Sequence, residues 1–189
     1  MNIVRHDLPE LITATRAIAD EAQLKFGGLN LVQLNWKPAA GQWSVGLCLD
    51  HLLTANLHYF PIFEAARNGL HQATFVERLP LLPKIFGNLL LKAVSPQAPK
   101  KLRAPRVFQP DASNVDAAVV RRFTEQQAQL AEYFGAVERQ GLGKTVITSP
   151  VSPILTYSLI DACRIIVAHE QRHLQQAERV VGAPGFPQR

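Results

Sequence analysis

Near the end of the chain, residues 169–173 read His-Glu-Gln-Arg-His, two imidazoles four positions apart with a carboxylate beside the first. On a helix that spacing puts both rings on one face, with Cβ atoms about 5–6 Å apart, close enough to share one metal ion. The letters also satisfy H-E-x-x-H, the pattern in which a glutamate acts as general base beside a protease zinc. A protease helix of that kind needs a further ligand downstream, and residues 174–181 offer no histidine or aspartate, only Glu178. Peptidase chemistry is therefore a minor reading, and a third ligand has to come from another element.

The other histidines are His6, His51, His58 and His71. His51 is the strongest of them, because Leu47, Cys48 and Leu52 surround it in an apolar run where an unpaired polar side chain would be costly. The plain alternative for any helix histidine is a solvent-facing or hydrogen-bonded ring, and spacing by itself does not choose. His58, two turns on, could line the same pocket or simply pack. Cys48 could be a soft ligand or a buried structural thiol. Glu170 stands about 100° round the helix from His169, which suits either orientation of an imidazole from behind or a surface ion pair. Gln176, three residues after His173, is a similar supporting candidate. Three neutral imidazoles would leave an open coordination position, the mark of a catalytic rather than a closed structural site.

The elements that must hold these side chains read as helices, since apolar residues recur at helical spacing and nowhere alternate over a sustained run. A first helix is expected from Asp7 to Phe26, with Pro9 in its first turn and Gly27–Gly28 after it. Leu8, Leu11, Ile12, Thr15, Ile18, Ala19 and Ala22 should share its buried stripe. Ser44 is the expected N-cap of a second helix, Val45 to Asn68, broken near residues 57–61 because Pro61 leaves the carbonyl of Leu57 without a helical partner. Ile85 to Val94 suggests a short helix within a proline-punctuated crossover, a length of chain that usually forms a lid or binding element. A third helix is expected from Asn114 to Gln140, opened by Ser113 and Asp116 as a capping box and carrying Val115, Val119, Leu130, Phe134 and Val137 inward. Gly-Leu-Gly-Lys-Thr at 141–145 is a helix end, not a phosphate loop, because Glu138 occupies the place of the required first glycine. The segment Ser-Pro-Val-Ser-Pro-Ile-Leu reads as a loop, and Thr156 or Ser158 should cap the last helix, Leu159 to Val181. The expectation is an all-α fold, a four-helix bundle with a long crossover between the second and third helices.

The 189 residues suit one domain, 1–189, and their 47% apolar and 19% charged content is ordinary for a globular chain. No apolar run reaches the roughly 20 residues of a membrane span, and the N-terminus is charged where a leader would be apolar. A cytoplasmic location is the expectation, with a symmetric homodimer favoured on general grounds. Cys48 and Cys163 sit in apolar runs without C-x-x-C spacing, which argues against a disulfide scaffold or a cysteine zinc knuckle. The net charge of +5 is local: residues 78–110 contain Arg78, Lys84, Lys92, Lys100, Lys101, Arg103 and Arg106 and no acid. That segment could roof a site and hold an anionic substrate, or be a solvated loop. Nucleic acid is a poor partner, because no recognition-helix, RRM or zinc-finger pattern accompanies the charge.

Two stretches carry a resemblance. Trp-Ser-Val-Gly-Leu-Cys-Leu-Asp-His-Leu at 43–52, and the run from Pro153 to Ala177 that ends in the paired histidines, resemble the DinB/YfiT-like superfamily of metal-binding four-helix bundles. That family shows a tryptophan, a Ser or Thr capping the second helix, a His-Leu pair, and H-x-x-x-H on the fourth helix. The likeness covers most of the chain in layout and is specific at the second and last helices. It implies His51, His169 and His173 as metal ligands. Its characterised members include thiol S-transferases and a thiol-dependent isomerase, so it implies a divalent transition metal, zinc or nickel foremost, that activates a low-molecular-weight thiol or water against a small electrophile. The alternative is a metal-bearing stress or ligand-binding protein without turnover.

Overall fold

The computed structural model describes residues 6–79, 82–98 and 114–188. Helix α1, Leu8–Phe26, starts where the sequence places it. Asp7 Oδ1 accepts from Glu10 N at 3.0 Å and Glu10 Oε2 accepts from Asp7 N at 2.8 Å, a reciprocal box that satisfies two first-turn amides. Its buried stripe is Leu8, Leu11, Ala14, Thr15, Ile18, Ala22 and Phe26; Ile12 and Ala19 lie half-buried at its margin. A short helix not anticipated from the pattern, α2 (Leu31–Asn35), follows, boxed by Asn30 and Gln33.

Ser44 caps α3, Val45–Leu57, by accepting from Leu47 N at 3.2 Å. The expected break is present: α4 begins at Phe60 and runs to Arg67, with Pro61 in its first turn. Tyr59 N turns back to Asn56 O at 2.9 Å, tightening the end of α3, and Tyr59 O accepts from Phe63 to open α4. The two helices together thus cover the span read as one broken helix. Helix α5, Leu82–Val94, is the apolar segment extended by one turn, and it packs on the last helix and the hairpin described below.

The third long helix, α6, spans Val119–Arg139 and starts five residues later than expected. Asn35 explains the delay. Its Oδ1 accepts from Val115 N at 2.7 Å and its Nδ2 donates to Val115 O at 2.9 Å, so both backbone groups of Val115 are committed to a side chain. Asp116 then accepts from Ala118 N at 2.7 Å, forming a side-chain turn where a capping box with Ser113 was expected. Ser113 lies outside the described residues, as do Lys100, Lys101, Arg103 and Arg106 and the middle of the crossover. Arg78, Lys84 and Lys92 are exposed. Gly141, in the left-handed region at φ 66°, ends α6 as the helix-end reading requires.

The chain is mostly helical, with one departure from the all-helical expectation. Val146–Thr148 (β1) and Thr156–Ser158 (β2) pair antiparallel around the Ser-Pro-Val-Ser-Pro-Ile-Leu loop, with Ile147 opposite Tyr157. Three-residue strands are too short to display alternation, but both of these central residues are fully buried. Ser158 then caps α7, Leu159–Val181. Helices α1 and α3 each pack against both α6 and α7, which closes a four-helix ring around Leu11, Ile18, Leu49, Leu52, Phe123, Leu130, Phe134 and Ile166. No helix among the described residues is long and apolar enough to cross a membrane.

Candidate metal centre

Helices α3 and α7 face each other along their length, and three imidazoles meet between them. His51, 2% exposed, comes from α3; His169 and His173 come from successive turns of α7. The ring centroids of His51 and His169 are 4.9 Å apart, those of His51 and His173 4.6 Å, and those of His169 and His173 4.6 Å. His51 Nε2 and His169 Nε2 approach to 3.1 Å, and one nitrogen from each ring lies within 4.8 Å of the other two. Around an ion bound at 2.0–2.1 Å in tetrahedral geometry, ligand nitrogens stand about 3.3 Å apart. The set is therefore close enough to hold one ion.

Electrostatics prepares the same chemistry. Burial, then the neighbouring His173 and His51, hold His169 well below the usual imidazole range. Burial, His51 and Arg172 bring His173 down to about 3, against Gln176, which works the other way by accepting from the protonated ring. Both rings are neutral at pH 7 and keep lone pairs for a cation. Trp43 roofs the group, its centroid 4.9 Å from that of His51 and stacked on His173 at 5.6 Å. The Ser44 cap fixes the turn that places the indole there.

The supporting candidates separate. Gln176 lies near enough to His173 to raise its pKa slightly against the other contributions. Glu170 is fully buried and turns to neighbouring helices, its Oε1 accepting from Asn56 Nδ2 at 2.8 Å and Gln127 Nε2 at 2.7 Å, so the surface ion pair is excluded. Burial pushes its carboxyl up to about 7 although both amides pull it down. Cys48 is a buried thiol pushed up to about 12 by desolvation, outside the ligand group. His58 is exposed at the C-cap of α3 and does not line the site. His71 pairs with Glu77 at 3.3 Å, and His6 lies ahead of α1, its carbonyl accepting from Arg164. Asn56, Gln126 and Gln127 were missed. Position 127 falls four after Phe123 and three before Leu130, so an amide in an inward register was the available signal.

A helical ring whose facing members present three imidazoles to one point defines a candidate metal-binding bundle. The chain belongs to the DinB superfamily, whose family model matches residues 13–177. No curated protein and no solved structure matches it.

Proposed function

We propose that this protein is a metal-dependent enzyme in which His51, His169 and His173 hold one divalent transition metal ion, zinc or nickel, next to a pocket for a small molecule. The convergence of three ring nitrogens within 4.8 Å, drawn from two helices, carries the reading. A metal so held by neutral ligands keeps a coordination position for substrate and lowers the pKa of bound water or thiol towards neutrality. Thiol transfer or hydrolysis on a small electrophile follows, with a low-molecular-weight thiol as the favoured co-substrate. The protein's own part is to keep the imidazoles neutral, to fix their rings through Trp43 and Gln176, and to exclude bulk water from His51. The same reading takes the chain as one domain acting as a cytoplasmic homodimer.

Elemental analysis of untagged protein tests the centre. About one equivalent of metal is expected in the wild type and less than a tenth in His51→Ala; equal metal in both sinks the site. A panel of thiols and electrophiles, assayed with and without chelator, tests turnover. Silence across the panel in metal-loaded protein would leave a metal-bearing binder in place of an enzyme.

A further inference from the structure

Beside the histidines a polar cluster joins three helices. Glu170 Oε1 accepts from Asn56 Nδ2 and Gln127 Nε2; Asn56 Nδ2 also reaches Gln126 Oε1 at 2.9 Å, and Gln126 Nε2 donates to Leu53 O at 3.0 Å. Glu170 has no exposed surface, Asn56 and Gln127 have 1%, and Gln126 has 5%. A carboxylate in such a place is expensive, and well-packed apolar side chains would close the same gap at lower cost. The placement of its partners says what the cost secures. Asn56 belongs to the helix of His51, and Glu170 directly follows His169.

We propose that Asn56, Gln127 and Glu170 act as positioning residues, a register lock that holds α3 and α7 at the offset where His51 meets His169 and His173. The inference rests on the metal-centre reading above. Apolar ridges in grooves tolerate sliding, whereas hydrogen bonds of 2.7–2.8 Å lose strength within a few tenths of an ångström. Metal–nitrogen bonds have a similarly narrow tolerance of about 0.2 Å. A slip of α7 by one residue would turn both of its histidines about 100° from His51. Two donors from two helices on one carboxylate oxygen oppose that slip.

The test uses full-length protein, with cobalt(II) as the probe metal and its visible absorption as the reporter. Asn56→Leu keeps the number and branching of the side-chain heavy atoms and removes the donor; it should remain helical yet bind cobalt about tenfold more weakly, with an altered spectrum. Glu170→Gln keeps an acceptor oxygen and should stay within about twofold of wild type. Leu11→Ala, a core cavity on α1, a helix that supplies none of these side chains, controls for general loosening. Unchanged affinity and spectrum in Asn56→Leu, or an equal loss in Leu11→Ala, overturns the lock. Should wild-type protein bind no cobalt, the metal reading fails separately, and the lock is then read in metal-free protein. There, in a Trp36→Phe background, Asn56→Leu should change Trp43 emission as His173 moves under the indole, and unchanged emission overturns it.

Discussion

His169 and His173 resist protonation in the folded chain while an unfolded imidazole titrates near 6.5. The unfolded state thus takes up protons that the folded state refuses, and metal-free protein should lose stability as pH falls from about 6.5 towards 3. Urea unfolding at pH 7 and pH 5 checks this, and His173→Leu should flatten the difference. Glu170 works at the other end. Its folded pKa of about 7 lies above the usual carboxylate value, so stability present below about 4.5 is lost as pH rises through 7. Glu170→Gln should therefore exceed wild type at pH 8 by about 3 kcal/mol at most and match it at pH 4. His169 and His173, held neutral, also have few protons to give up, so the heat of metal binding at pH 7 should depend little on the buffer's ionisation enthalpy through them. The three histidines were legible because helix spacing pairs His169 with His173 and apolar neighbours mark His51 as buried. The amides around Glu170 were not, because a hydrogen bond between three helices leaves no mark in any one of them.

Helices read best where local chemistry closes them, as at Asp7, Ser44 and Ser158, each of whose side chains caps its own first turn. The start of α6 misread because Asn35, eighty residues earlier, takes the backbone of Val115. The hairpin misread because its pairing is tertiary and its strands are short. The same region explains Gly46. A Cβ there would stand 2.1 Å from Val115 Cγ2 and 3.0 Å from Leu34 O, so the first turn of α3 is pressed against two segments at once. Gly46→Ala should cost about 1–3 kcal/mol by overpacking. Denaturant midpoints measure that cost, and because the turn also carries Trp43, metal affinity should fall with it.

Across the whole molecule the helical ring closes on a large core of aliphatic and aromatic side chains, so metal-free protein should stay helical. Metal that binds only the folded chain adds about 2.7 kcal/mol at a hundred times Kd. For a chain of this size that is a rise in Tm of roughly 5–10 °C. Thermal melts with added zinc should show the rise in wild type and none in His51→Ala, whose circular dichroism should remain helical. The ring of four helices was legible from stripe and cap, while the offset between its members was not. Ser158 adds a constraint on that offset, being both the last residue of β2 and the N-cap of α7. Insertions and deletions are therefore partitioned along the chain. The 150–154 tip, inside the Ser149 N–Leu155 O bond, can change length, but one residue gained or lost between 159 and 168 swings the histidine pair by about 100° relative to the hairpin. Length variation, in evolution or in a loop-grafting library, should collect at the tip and stop at Ser158.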